Sequence, residues 1–241
     1  MNHLHLVEVD STNAWLRSNL SNFAHGFVVS TDYQTTGKGQ ANNLWESQSG
    51  ANLLMSILLE PTKIATHEQF SLSQLVSVAI ANVLQNALNR EVRIKWPNDI
   101  YVGDKKVCGI LIENTLIGGQ LAKSIIGIGV NVNQKAFKSD APNPVSMAQL
   151  GDKSFDCQLL LEELVTTILK DYDSFSTLKS EELQHIYFAK LYRNSGFYPF
   201  KINDLLVEAE IDSILPTGHI RLHTKKDEYK IFAFKEVQFV L

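Results

Sequence analysis

Five consecutive residues, Lys95-Trp96-Pro97-Asn98-Asp99, put a cation, an amide and a carboxylate into one short corner of the chain. Proline fixes its own φ, removes a backbone donor and holds the preceding tryptophan extended. The Asn-Asp pair then supplies turn chemistry between two apolar runs that are typical of strands. Such a corner can aim three polar groups at one ligand. Taken alone, it also fits a strand-end turn with an exposed lysine.

Three further segments combine glycine with lysine or asparagine: residues 36–40 (Thr-Gly-Lys-Gly-Gln), 106–113 (Lys-Val-Cys-Gly-Ile-Leu-Ile-Glu) and 127–133 (Gly-Ile-Gly-Val-Asn-Val-Asn). Glycine lets the backbone approach a ligand closely. The first segment is not a Walker A loop, because Gln40 is not followed by Ser or Thr. Each segment also has a plainer explanation: a mobile turn, a solvated lysine, or a strand bulge at the paired glycines.

Together, in this order and spacing, the four segments resemble the catalytic domain of biotin protein ligases. The resemblance is detailed from Glu8 to Asn133 and general beyond that range. It implies that ATP activates biotin as biotinyl-5'-adenylate, which then passes to one lysine of a biotin carboxyl carrier protein. Adenylation brings two anions together, so the site must neutralise crowded charge. Converging lysines, helped by a Mg²⁺ ion held mainly by phosphates and waters, would do so.

The resemblance also implies roles for individual residues. The residues of the biotin pocket would be Ser11, Thr12, Gln34, Gly37, Lys38, Lys106 and Gly109. The residues that hold the nucleotide would be Gln40, Asn43, Trp45, Lys95, Asn98 and Asn131. The residues with catalytic roles would be Lys106, Lys38 and Asp99, of which Asp99 orients the acceptor lysine. No residue is predicted to bind the metal directly.

The roles of Ser11 and Thr12 are open, and one loop departs from the resemblance. Ser11 and Thr12 precede a helical pattern, so they can equally cap that helix or contribute to the pocket that the resemblance implies. In the loop, residues 40–43 (Gln-Ala-Asn-Asn) stand where biotin ligases commonly carry arginines and a further glycine. Lys38 is therefore the only cation in this loop, which predicts weaker retention of the adenylate.

Composition limits the class of protein. The chain has 241 residues, 44% of them hydrophobic, enough for one large core and a small second unit. A net charge of −4 does not indicate a strongly basic nucleic-acid surface. The sequence has neither an apolar run long enough for a membrane span nor a signal-peptide pattern. Its two cysteines lack metal spacing and predict free thiols in a reducing cytoplasm.

Hydrophobic periodicity predicts the elements that position these motifs. Strands are expected at 4–9, 26–33, 51–59, 92–95, 100–102, 105–113 and 122–132, and helices at 66–87, 146–150, 156–175 and 181–194. Residues 66–69 match a capping box for the first long helix. This order predicts an α+β fold with a class II synthetase-like mixed or antiparallel sheet and flanking helices, not a Rossmann fold.

From Ser195 the pattern changes to short β-rich pieces at 197–202, 205–214, 219–224 and 228–234. Their spacing predicts a small C-terminal SH3-like barrel. We therefore expect a catalytic domain over residues 1–194 and a β domain over 195–241. Whether the chain forms a homodimer is not decided by any residue.

Three other classes of protein compete with this interpretation. A lipoate–protein ligase or lipoyl transferase has a related fold and chemistry, but its early arginine–glycine motif is missing here. A transcriptional regulator would need a DNA-binding domain. A ligand-binding module without catalysis would leave the convergent lysines unexplained. A monofunctional biotin ligase fits best.

We expect no sequence-specific DNA binding, because the net charge is negative and only ten residues precede Ser11, too few for a helix-turn-helix. A gel-shift titration at several salt concentrations tests this expectation. A salt-sensitive, sequence-selective shift at sub-micromolar protein would contradict it.

Overall fold

The computed structural model describes residues 2–40, 43–62, 64–138, 143–175 and 180–240, and its largest feature is a seven-stranded sheet. The strands are β1 (His3–Val9), β2 (Val28–Gln34), β3 (Leu53–Leu59), β4 (Arg93–Lys95), β5 (Asp99–Val102), β6 (Lys105–Ile117) and β7 (Gln120–Val130). Their order across the sheet is β1-β2-β3-β7-β6-β5-β4. Only β1 and β2 pair in parallel. The predicted mixed α+β fold is confirmed.

Helices cover both faces of this sheet. They are α1 (Thr12–Ser18), α2 (Phe70–Leu88), α3 (Met147–Gly151), α4 (Cys157–Ser174) and α5 (Ser180–Ala189). Helix α1 packs on one face, where Leu16, Val29 and Leu58 form a small core. Helices α2 and α4 pack together over the other face. Every residue of β3 is buried because its two faces meet different helices, which accounts for its continuous apolar run. Among the described residues, no helix is both long and apolar enough to cross a membrane.

Two predicted helix boundaries are wrong. The capping box at residues 66–69 does not form, since Thr66–Glu68 is a 3-10 turn and the Thr66 hydroxyl donates to the carbonyl of Gly119. Helix α2 therefore begins at Phe70, without a side-chain cap. The helix expected over 181–194 ends at Ala189, because the following backbone pairs with Ile94: the Ile94 amide donates to Lys190 O, and the Ile94 carbonyl accepts from the Tyr192 amide.

The C-terminal segment forms a second, antiparallel sheet. Its strands are β8 (Tyr198–Ile202), β9 (Leu205–Ile214), β10 (Ile220–Thr224), β11 (Tyr229–Phe232) and β12 (Val237–Phe239), in the order β11-β10-β9-β8-β12. The four predicted strands are confirmed, and the short β12 was missed. In the part of the chain that is described, β11 and β12 remain the two edges of the sheet, so the expected closed barrel is not found.

The two sheets share one hydrophobic core. Phe200, Ile211 and Leu222 of the second sheet belong to the same buried cluster as Leu72 and Ile94. Where the two sheets meet, at a contact that we call the joint, the indole Nε1 of Trp96 donates to the carbonyl of Gly218 at 2.9 Å. Gly218 has φ of +88°, and a Cβ there would lie 2.7 Å from the ring of Phe70. The joint is therefore too tight for a side chain at position 218.

We expect Trp96→Phe to lower the free energy of unfolding by about 1–3 kcal/mol, because the Gly218 carbonyl loses its donor and a buried ring shrinks. Urea unfolding measures the change. Trp15→Phe, which makes the same replacement in α1, is the matched control. If both variants lose the same stability, the indole–carbonyl bond contributes nothing measurable to the joint.

Candidate active site

A cavity lies where the loop after β2 crosses strands β6 and β7. It encloses about 460 Å³, part of it open to solvent. Predicted site residues that line it are Ser11, Thr12, Gln34, Lys38, Gln40, Trp45, Asn98, Lys106 and Gly109. They come from segments far apart in the sequence, so the sheet brings together most of the predicted site.

The floor of the cavity is a pair of glycines on neighbouring strands. Gly109 of β6 and Gly129 of β7 face each other in the register, and the indole of Trp45 lies against both. A Cβ would come within 2.7 Å of this ring at Gly109 and within 2.6 Å at Gly129. The register is regular at these positions, so the bulge interpretation of the glycines is wrong. They make a flat slot, which the indole fills.

The loop over this slot is a short hairpin. The Trp45 amide donates to Gly37 O at 2.9 Å, and the Gly39 amide donates to Asn43 O at 2.7 Å. A Cβ at Gly37 would lie 2.9 Å from Gln34 Nε2 and 3.2 Å from the Trp45 carbonyl oxygen, so a side chain there would displace Gln34. Of the loop residues that depart from the resemblance, 41 and 42 lie outside the described residues.

A chain of hydrogen bonds runs behind the cavity wall. The Asn13 amide nitrogen donates to Glu113 Oε2 at 2.9 Å and to Leu111 O at 3.3 Å, so its Oδ1 must accept. Ser56 Oγ lies 2.6 Å from that Oδ1 and 2.8 Å from Thr12 Oγ1. The single Ser56 hydrogen therefore goes to Asn13, and the Thr12 hydrogen is used within the wall, where Gln34 Oε1 at 3.1 Å and Ser56 Oγ are its two acceptors.

This chain sets the polarity of the cavity wall. Because the Thr12 hydrogen is used, Thr12 Oγ1 has only lone pairs left for a ligand. Gln34 Oε1 accepts from the Thr12 amide at 2.8 Å, so the Gln34 side chain has its Nε2 donors left. A hydrogen-bond acceptor, Thr12 Oγ1, and a hydrogen-bond donor, Gln34 Nε2, thus lie side by side in the cavity wall. The capping interpretation of Ser11 and Thr12 is also resolved, since no side chain of this pair caps α1.

Sequence reasoning missed Asn13, Ser56 and Glu113. A signal for Ser56 was present, because it is the only polar residue in the apolar run that forms β3. A buried hydroxyl needs a hydrogen-bond partner, so its position pointed to a polar network. Glu113 is held in place by Arg17, which contacts its carboxylate at 2.7 Å.

An ion pair joins the two central motifs. Lys106 Nζ lies 2.6 Å from Asp99 Oδ1, with 21% and 19% of the two side chains exposed. The same ammonium lies 5.4 Å from the centre of the Trp45 ring. Lys106 is therefore a partly buried cation at the cavity, and Asp99 neutralises it. An anionic ligand has to compete with this carboxylate.

Five predicted residues do not line the cavity: Gly37, Asn43, Lys95, Asp99 and Asn131. The Lys95 ammonium lies 4.9 Å from the Tyr101 ring centre and 5.4 Å from that of Phe239. Burial lowers the pKa of Lys95, and the nearby Asp99 carboxylate partly opposes this shift. Asn131 is buried below Lys106, where its Oδ1 has no partner among the described residues.

Metal ligands are not gathered at this site. In the ranges that the structure describes, no group of three or more His, Cys, Asp or Glu side chains could hold a metal ion. The donor set fits a Mg²⁺ ion only if phosphates and waters supply most of its ligands.

Comparison with known proteins places this geometry in a family. Residues 5–131 match the sequence model of the biotin/lipoate A/B protein ligase family. The bifunctional ligase/repressor BirA of Escherichia coli K12 is 32% identical over 166 residues, which is 66% of this chain and 51% of that protein. Biotin--protein ligase 2 of Arabidopsis thaliana is 29% identical over 75% of this chain and 55% of its own length. The chain thus spans about half the length of these relatives.

A solved structure shows the same fold. The biotin protein ligase from Aquifex aeolicus, in complex with biotin and ATP, superposes with a TM-score of 0.82 at 24% identity, over 98% of this chain and 97% of that one. The family match spans the ion pair, the glycine slot and the polar wall, since all of these lie between β1 and Asn131. The chain therefore belongs to the biotin/lipoate A/B protein ligase family.

Proposed function

We propose that this chain activates biotin with ATP to biotinyl-5'-adenylate and transfers the biotinyl group to a lysine of a biotin carboxyl carrier protein domain. One observation carries the proposal: the acceptor–donor pair of Thr12 and Gln34 lies in the same cavity as the Lys106 cation. The names of two relatives support it: one is a bifunctional ligase/repressor, BirA, and the other is a biotin--protein ligase.

The family handles two kinds of substrate, and the polar wall favours biotin. The cyclic urea of biotin carries an N–H beside a carbonyl, which complements an acceptor beside a donor. The dithiolane of lipoate offers no hydrogen-bond donor. A site built to bond an N–H rejects a ligand without one, because its own polar groups are left unpaired. Lipoate ligation remains the alternative function.

In the first half-reaction, a biotin carboxylate oxygen attacks the α-phosphorus of ATP, and the bond to pyrophosphate breaks. The developing negative charge would draw Lys106 away from Asp99. Trp45 offers a broad face on which a flat base can pack. A Mg²⁺ ion held by the phosphates would lower their mutual repulsion. Lys38, exposed on the loop, would close over the product.

In the second half-reaction, the acceptor amine attacks the carbonyl carbon of the mixed anhydride, and AMP leaves as the carbon–oxygen bond breaks. Asp99 takes part only after Lys106 has moved to the phosphoryl group, since the two are paired at 2.6 Å beforehand. Its carboxylate can then accept a proton from the attacking amine. The ion pair would thereby keep the two half-reactions in order.

Four further expectations stay proposals. The division at residue 194 and an SH3-like character of the second sheet are supported by the change of strand pattern there. A cytoplasmic location is supported by the two free cysteines, of which Cys108 is buried. A homodimer has no specific contact in its favour.

Incubation with ATP, Mg²⁺, biotin and a biotin carboxyl carrier domain should label one lysine of that domain. Mass spectrometry locates the label, and a carrier with this lysine changed to arginine is the control. Labelling with lipoate in place of biotin would overturn the assignment of substrate.

Lys106→Ala should slow adenylation by about 10²–10³-fold with the fold intact, because a positioned cation acts chiefly on the transition state. Lys38→Ala should instead weaken biotin binding and release adenylate, because this loop lysine is exposed. Single-turnover adenylation and direct assay of released biotinyl-adenylate separate the two effects.

The neighbouring exposed residue supplies the control for both variants. Lys105→Ala removes a lysine that does not line the cavity, so its adenylation should match the wild type. If Lys106→Ala also adenylates at the wild-type rate, Lys106 is not the central cation.

A further inference from the structure

A second cavity, of about 690 Å³ including its solvent-open mouth, lies between the two sheets. One wall is the N-terminal half of α2, and the opposite wall is the β9–β10 turn with the segment after β11. The turn at residues 96–98 separates it from the first cavity. Gln40, Asn98 and Ile110 line both cavities, so the second one adjoins the candidate site of adenylation. We call it the cleft.

The lining of the cleft is aromatic and nearly uncharged. Phe70, Trp96 and Phe234 supply its rings. None of its described lining residues is Lys, Arg, Asp or Glu, and the ring of its one histidine, His219, is hydrogen-bonded to Thr217 at 2.7 Å. A phosphate or a carboxylate would find no counter-charge there. The chemistry suits a neutral group on an aliphatic stem.

Two polar atoms in the cleft lack partners. Ser77 is 1% exposed, and its Oγ makes no hydrogen bond with the described residues. Gln40 Oε1 is likewise buried without a partner. Leaving a buried polar atom unpaired is costly, so native proteins usually satisfy it. Gln40 Oε1 can only accept a hydrogen bond, which points to a ligand with an N–H or O–H donor.

We propose that the cleft receives the side chain of the acceptor lysine as a neutral amine, with Gln40 Oε1 accepting one of its N–H bonds. This inference rests on the proposed function. The rings of Phe70, Trp96 and Phe234 enclose the methylene stem, and Ser77 lies deeper in the wall. Gln40 thereby acts on the acceptor and not on the nucleotide.

The chemistry of transfer needs such a cleft. Only the neutral amine has a lone pair with which to form the new nitrogen–carbon bond while the carbon–oxygen bond to AMP breaks. An uncharged, low-dielectric surrounding disfavours the ammonium form, so its proton is left in solvent before the stem enters. The second proton, released on attack, goes to the Asp99 carboxylate. Gln40 orients the amine without taking part in proton transfer.

Filling the cleft tests the proposal. Ser73 lines it on α2 and is partly exposed, so Ser73→Phe puts a ring where the lysine stem would lie. Biotin-dependent ATP–pyrophosphate exchange should stay at the wild-type rate. Transfer from preformed adenylate to the carrier domain should fall about 10²-fold, because misplacing a reacting group by about 1 Å costs that much. Asn86→Phe, exposed on the same helix, is the matched control.

A small nucleophile separates a blocked cleft from a damaged site. Hydroxylamine needs no channel, so it should discharge the adenylate equally in wild type and Ser73→Phe. Equal carrier transfer in these two proteins would overturn the proposal. Absence of biotin-dependent ATP–pyrophosphate exchange in the wild-type protein would instead count against the proposed function itself.

A second variant covers the case in which Ser73→Phe does not fold. Ser77→Ala removes an unpartnered hydroxyl without adding volume, so the protein should be at least as stable as the wild type. Its KM for the carrier should rise while its pyrophosphate exchange stays unchanged. An unchanged KM for the carrier would overturn the proposal, because the acceptor side chain would then not reach the deeper of the two unpartnered polar atoms.

Discussion

The ion pair between Lys106 and Asp99 is the contact on which the rest of the site depends. It joins the corner after β4 to the first residues of β6, and strand pairing brings its two partners together. Register is strongly specified where one face of a sheet is buried, and here Ile100 and Cys108, which face each other, are fully buried. The core therefore fixes the position of the charges. Between Ile100 and Tyr101 the register shifts, so Lys106 faces Tyr101 beyond a bulge that helps to set the direction of its side chain.

The sheet also explains how polar chemistry is accommodated next to an apolar core. One face of the sheet supports α2 and α4, and the other supports α1 and the polar wall. Ser56 interrupts the apolar side chains of β3 on the face that meets α1, where it links Thr12 to Asn13. Gly127 leaves room for the Asn13 side chain, and Glu113 holds its amide. The polarity of the cavity wall thus depends in part on Ser56 and Glu113, which do not line the cavity themselves.

Sequence patterns predicted the long helices and most strands because these have a clear period and one buried face, and they predicted β3 from its continuous apolar run. They also predicted the motif residues, most of which meet in one cavity. What they missed depends on distant contacts. The end of α5 is set by pairing with Ile94, and the start of α2 by the Thr66–Gly119 bond, neither of which is local. The barrel was expected from strand spacing, but closure depends on how the edge strands meet. The cleft needs Phe234 and Gly218 beside Trp96, a contact across 122 positions in the chain.

The indole of Trp45 and any flat ligand group compete for the slot above Gly109 and Gly129. A ligand that enters the slot would first have to displace the Trp45 ring from it. The apparent affinity for such a ligand would be its intrinsic affinity multiplied by the fraction of molecules in which the slot is vacant. Substitutions in the hairpin that carries Trp45 can therefore retune affinity while every lining residue stays the same. Trp45 would thus be an intramolecular competitor of the ligand, and the sequence of the loop would determine how strongly it competes.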